Sequence, residues 1–210
     1  SDGDPFKEYW FHYNLGNNPG FLSPKKNFGE DDPLNDFIRQ LYNEGSDESV
    51  KMAKNLGARQ RFFSPVLVRG QEDQGVRLWG YGKTAYKELL NLVLNPEYGD
   101  ITDVDGGTDL VITYGKPAGA QFPQTSIVPR RKSSPLTESS DTTSGMMDSI
   151  PDFDEVFESA RKTPAEIQQM LDQYLLTEED AEEVSTETTK YESTEPSSSV
   201  DKAFEELLGS

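Results

Sequence analysis

Cysteine is absent from the 210 residues, and histidine occurs once, at His12. No disulfide, thiolate metal site or cysteine nucleophile can be built from this chain, and one imidazole leaves little material for a structural zinc. No apolar run approaches the 18 or so residues that a membrane-spanning helix needs. The opening "SDGDPFKEYW" has neither the basic start nor the apolar stretch of a signal peptide. These absences predict a soluble protein acting inside a cell. The chain also begins without methionine, just before an aromatic cluster, and the expectation is a fragment or a trimmed protein.

Basic residues are scarce overall, 20 against 38 acidic, for a net charge of −18. The imbalance is local. Residues 1–132 hold 16 Lys+Arg against 18 Asp+Glu, whereas residues 133–210 hold 4 against 20. Within residues 51–132 the sign reverses, with 12 basic and 8 acidic. A near-neutral body with a basic stretch, followed by an acidic tail, suggests a nucleic-acid surface and a tail that competes for it or recruits partners.

"FKEYWFHYNL" is aromatic-rich and reads as a strand. Residues 16–32 are rich in Gly, Asn, Pro and Asp and read as a loop. In "DDPLNDFIRQLYNEG", Asp32 caps a helix, Pro33 takes its first position, and Leu34, Phe37, Ile38 and Leu41 share a face that ends at Gly45. "DESVKMAKNLG" is a second helix. "RQRFFSPVLVRG" and "GVRLWGY", joined by "QEDQ", form a hairpin. "KTAYKELLNLVLN" is an amphipathic helix. A turn at Gly106–Gly107 then leads to a strand through Tyr114, and "AQFPQTSIVPRRK" is a last strand ending in a basic cluster. About five short strands with an inserted helix fit a small Greek-key barrel or another α+β sheet fold.

From Ser133 the composition turns to Ser, Thr, Pro, Asp and Glu, which buries too little apolar surface to offset ordering entropy. Two islands interrupt it. Residues 152–176 carry Phe153, Val156, Phe157, Ile167, Met170, Leu171, Tyr174 and Leu175, with a Thr163–Glu166 capping box. Residues 201–208 carry Phe204, Leu207 and Leu208 at i, i+3 and i+4. One such helical turn is unstable alone and can fold into a partner's groove.

The strongest physical signal is basic–aromatic interleaving. On a strand over 76–81, Arg77, Trp79 and Tyr81 share one face and Val76 and Leu78 the other. Rings that stack on bases, beside cations that track phosphates, are what single-stranded nucleic acid requires. Arg59, Arg61, Arg69, Lys83, Lys116, Arg130, Arg131 and Lys132 could add charge. Equally, aromatic residues favour strands in any sheet, and arginine stems cover sheet surfaces. "LWGYGKT" is not a phosphate loop, because Arg77 stands where the first glycine is needed. "DVDGGTD" is a turn and not a calcium loop, since Gly107 takes the third ligand position. No catalytic constellation is visible, and the protein reads as a non-enzyme.

Residues Phe6 to about Leu136 resemble the single-stranded DNA-binding (helix-destabilising) protein of T-even-type tailed phages, especially the versions in phages of marine cyanobacteria. The likeness is specific in "EDQGVRLW", "NPEYGDITD" and "YGKPAGA". The resemblance implies an OB-fold, a five-stranded Greek-key barrel with a basic, aromatic-lined cleft. Phe62 and Phe122 fall where the family contacts DNA, and Trp79 and Tyr81 lie on a strand that forms its cleft. Its zinc ligands, one histidine and three cysteines, are not matched. His12 aligns with the histidine, but Asp32 and Asn35 stand at cysteine positions, so no cofactor is expected and the zinc site is read as lost. The family's basic N-terminal arm and first barrel strand are expected to be missing from this sequence.

The expected organisation is therefore α+β, mainly β. An OB-fold core spans residues 1–132, and a largely disordered acidic tail spans 133–210. The expected function is sequence-independent binding of single-stranded DNA in phage replication, recombination and repair, in the cytoplasm of an infected bacterium. The tail would compete for the cleft and recruit phage replication and recombination proteins through Phe204, Leu207 and Leu208. The alternative is an acidic protein–protein adaptor whose basic sheet face docks a protein partner.

Overall fold

A run of aromatic residues, Tyr9, Trp10 and Phe11, follows Lys7 and Glu8 and becomes strand β1 (Lys7–His12). The computed structural model describes residues 5–191, with side chains through Thr177. Its fold is α+β, with antiparallel sheets and several helices. β1 pairs with β2 (Phe21–Leu22) on one side and β3 (Arg59–Val66) on the other. β3 pairs with β4 (Arg77–Tyr81), so the sheet order is β2-β1-β3-β4. A 3-10 turn, Glu72–Gln74, closes the β3–β4 hairpin where the polar "QEDQ" predicted a turn.

The residues expected to form a loop between 16 and 32 contain β2 and helix α1 (Pro24–Phe28). Ser23 caps α1 and Pro24 opens it, the same pair of signals that marks the next helix. That helix, α2 (Pro33–Glu44), begins as predicted. Asp32 accepts from the Asn35 N–H at 3.1 Å, and Gly45 ends the helix at φ 77°. α3 (Asp47–Leu56) is capped by Ser46. After β4 comes α4 (Lys83–Val93), then a second antiparallel pair, β5 (Leu110–Gly115) with β6 (Gln124–Pro129).

The packed chain continues past the composition change at Ser133. Ser134 N–H donates to Gly107 O at 3.1 Å and Leu136 N–H to Val104 O at 2.7 Å. Helix α5 (Ser140–Asp148) follows, then α6 (Phe153–Phe157) and α7 (Pro164–Tyr191). The Thr163–Glu166 capping box forms in both directions, at 2.8 and 3.3 Å. Ile167 and Leu171 of α7 are buried with Leu15, Phe21, Leu34, Ile38, Leu41, Ala53 and Leu56. The capping box marked this helix in advance, and four-residue spacing of its apolar side chains gives it one face to bury. The described part of residues 133–210 is thus built onto the body, through the 152–176 island whose apolar residues and capping box interrupt the acidic composition.

A second core lies between β3, β4, α4 and β6. It holds Phe62, Tyr81, Ala85, Leu89 and Ile127, with Phe6, Trp79, Tyr86, Leu92 and Leu110 packed against it. One helix face therefore holds the four-stranded sheet to the β5–β6 hairpin.

Candidate nucleic-acid interface

Strand pairing decides which side chains of the β5–β6 hairpin are presented. Ile112 faces Ile127 and Tyr114 faces Thr125, so Leu110, Ile112 and Tyr114 share the side on which Ile127 meets α4. The Ile127 N–H donates to Glu88 Oε2 of α4 at 3.2 Å, which pins the strand to the helix. Toward the tip the packing runs out. Tyr114 is 73% exposed, and Phe122 in the connecting loop is 68% exposed. Lys116 is exposed beside them, and the loop turns through Gly119 at φ 81°, where Ala120 N–H donates to Pro117 O at 3.0 Å. At the other end of β6, exposed Arg130, Arg131 and Lys132 follow the last strand residue. Residues 110–132 contain four basic side chains and no acidic one, in a chain of net charge −18. The hairpin is thus a short, positively charged element with two exposed rings toward its tip.

The remaining residues expected to contact nucleic acid fall in four settings. Phe62 and Tyr81 are core residues, each 3% exposed. The Phe62 ring stacks on Tyr86 at 3.9 Å, and the Tyr81 hydroxyl pairs with Ser64 Oγ at 2.7 Å. Trp79 lies half-buried against Tyr81, with ring centroids 4.4 Å apart. The face bearing Arg77, Trp79 and Tyr81 therefore packs on α4, the reverse of the expected outward presentation. Phe62 and Tyr81 offer no free ring to a base. Arg69 is also committed. Its Nε donates to both Asp109 oxygens at 3.1 Å, its Nη1 to Leu136 O at 2.6 Å and its Nη2 to Pro135 O at 2.8 Å. That arginine staples the start of the hairpin to residues 135–136.

Arg59 and Arg61 lie on the other face of the sheet. They pair across the strands with Phe11 and Tyr9, while Phe63 pairs with Lys7. Lys83 is exposed at the first position of α4. Phe204, Leu207 and Leu208 lie outside the described residues. Two groups escaped the sequence reading. Tyr114 carried a usable signal, since Leu110, Ile112 and Tyr114 alternate and the helix they pack on is short. Tyr9, Phe11 and Phe63 sit in aromatic-rich strands, but only strand pairing brings them together.

The chain matches no protein-family model, and no curated protein matches it significantly.

His12 is buried where β1 meets α2 and α3. Its Nδ1 lies 2.9 Å from Leu56 O and its Nε2 3.3 Å from Asp32 Oδ2. Asp32 Oδ2 also accepts from Ser23 Oγ at 2.6 Å, and Oδ1 accepts from the first turn of α2. Burial alone would raise the Asp32 carboxyl, but hydrogen bonds from His12 and Ser23 hold it below the ordinary carboxylate range. Both His12 nitrogens and both Asp32 oxygens are already engaged, and neither thiolate nor second imidazole converges here. These residues do not fit zinc. Among the described residues, no three His, Cys, Asp or Glu side chains are grouped to hold a metal ion. Strong chelators should accordingly leave the melting temperature unchanged. A clear drop on adding chelator, measured by calorimetry, would show that a metal ion is part of the fold.

Proposed function

We propose that this protein binds single-stranded DNA without sequence preference and serves phage DNA replication, recombination and repair in the cytoplasm of an infected bacterium. The observation that carries the reading is the β5–β6 hairpin. It has four cations, no acid and two rings left mostly in water, in a protein that is otherwise strongly acidic. One ring lies near the end of strand β5 and the other in the connecting loop, on either side of Lys116 in the sequence. Unstacked bases cover rings, and phosphates accept the cations. The motifs that resemble the T-even-type helix-destabilising proteins include this hairpin's "YGKPAGA". The matching finer fold is an OB-type Greek-key barrel, in which the two antiparallel sheets are halves of one wall. No enzymatic step is assigned. Among the described residues no helix is long and apolar enough to cross a membrane.

The acidic C-terminal region is the proposed regulator. Residues 133–210 carry a net charge of −16 and can compete for basic surfaces. Phe204, Leu207 and Leu208 are the proposed docking element for replication and recombination partners.

Binding is tested by anisotropy of labelled oligo-dT at several salt concentrations. The log–log slope should be about −0.7 per neutralised phosphate, hence about −3 when all four hairpin cations engage. A flat salt response, or affinity that does not depend on oligonucleotide length, leaves the adaptor reading instead.

A further inference from the structure

The sheet face opposite α4 is built like a nucleic-acid track and is covered by an acidic segment. Strand register places Tyr9 and Phe11 of β1 on this face, beside Arg61, Arg59 and Phe63 of β3. Lys7 and Leu78 share it by the same alternation. So does Gly80, where a side chain would meet the Phe63 ring at 2.7 Å, so the ring lies directly over the β4 backbone. Phe11 also stacks on Tyr13, with centroids 5.9 Å apart and planes 21° apart. Four rings and three cations thus run along one side of two paired strands. Among the described residues, none of Lys7, Arg59 and Arg61 is in an ion pair within 4.0 Å.

Two rings of α6 occupy this face. Phe157 lies 4.8 Å from Tyr9, 5.6 Å from Phe11 and 4.7 Å from Phe63, centroid to centroid. Phe153 stacks on Tyr9 at 6.4 Å, with planes 21° apart. Around these rings the segment carries Asp152, Asp154, Glu155 and Glu158. Rings spaced by carboxylates present the chemistry of bases spaced by phosphates.

The cover is also lightly fastened. Asp152 spends its carboxylate capping its own helix, accepting from Asp154 N–H at 2.7 Å. Among the described residues, one side-chain hydrogen bond joins Asp152–Phe157 to the sheet, from the Tyr9 hydroxyl to Asp154 Oδ1 at 3.5 Å. Burial, and then the charge of Asp154, push the Tyr9 hydroxyl up to about 12, so it stays a donor at neutral pH. The firm attachment lies beyond the segment, where Ile167 and Leu171 of α7 are buried in the first core; the exposed Arg161–Glu30 pair adds little. α6 can leave the sheet while α7 stays, and the tether keeps it at high effective concentration for return.

We propose that Tyr9, Phe11 and Phe63, with Arg59 and Arg61, form a second single-strand-stacking surface, and that the acidic segment Asp152–Glu158 is a latch which nucleic acid displaces. This rests on the single-strand-binding reading above and adds a hidden half to it. The apparent affinity is then set by the fraction of molecules with the latch open.

The test uses the full chain and an oligo-dT carrying 5-iodouracil, with cross-links mapped by mass spectrometry. Wild type should cross-link at Tyr9 or Phe63 as well as at the hairpin. The variant Phe153→Ser with Phe157→Ser should bind about tenfold more tightly and raise that cross-link yield. Cross-links confined to the hairpin in both proteins, with equal affinities, overturn the latch while leaving single-strand binding intact. Absence of binding by either protein removes the functional reading itself. If the variant does not fold, hydrogen exchange of wild type decides. Faster exchange at residues 153–158 in saturating oligo-dT supports the latch, and unchanged protection overturns it.

Discussion

Replacing Asp32 with alanine should cost about 3–5 kcal/mol of folding stability, the range for removing one partner of a buried pair. The side chain engages four groups at once, one of them the Lys25 N–H, which donates to Oδ2 at 3.4 Å. It also accepts from Ser23 Oγ at 2.6 Å, from the Asn35 N–H of α2 at 3.1 Å, and faces His12 Nε2 at 3.3 Å. Alanine leaves a buried imidazole nitrogen and a buried hydroxyl without that partner, each worth about 1–3 kcal/mol, and removes a helix cap worth about 1 kcal/mol. Urea unfolding should show the full loss as a shift in midpoint at constant slope. A change below about 1 kcal/mol would mean the pocket refills with water at little cost.

The same carboxylate sets an acid limit. Its folded-state affinity for protons is lowered relative to the unfolded chain. Its contribution is therefore fully present above the ordinary carboxylate value of about 4, and is lost as pH falls through the lower folded value. Asp32→Ala should flatten that part of the acid-unfolding curve.

Local chemistry made α2 legible in advance. Asp32, Pro33, the Leu34–Ile38–Leu41 stripe and Gly45 each act within a few residues of one another, so sequence neighbours carry the whole signal. The β3–β4 hairpin was legible for the same reason. The Asp32–His12 pair was not, because its partners come together only when β1, α2 and α3 pack. The alternation over Arg77–Tyr81 correctly separated two faces, yet period-two reasoning does not say which face a core will claim. Here both faces carry rings. α4, which follows immediately, covers the Trp79–Tyr81 side, and α6, about 75 residues further on, covers the other. Residues 152–176 were legible despite their acidic average, since the Thr163–Glu166 capping box and one apolar face are local signals; that the face packs on Leu34 and Leu56 was not.

Truncating both exposed rings, Tyr114→Ala with Phe122→Ala, should weaken oligo-dT binding by about 2–6 kcal/mol, at about 1–3 kcal/mol for each stacking ring. The melting temperature should hardly move, because the two side chains are 73% and 68% exposed and leave no cavity. Phe62→Ala should do the opposite. That ring is 3% exposed and stacked on Tyr86 at 3.9 Å. Its loss should cost about 3–5 kcal/mol of stability, while molecules that remain folded keep their affinity. The pair of variants separates a ring that works in water from one that works in the core, two roles that the sequence gives equal aromatic character. Unchanged affinity in the double variant, with its fold intact, would move the binding surface off the hairpin tip. Lost affinity in folded Phe62→Ala protein would instead mean that the second core opens to admit a base, and that α4 must shift when DNA binds.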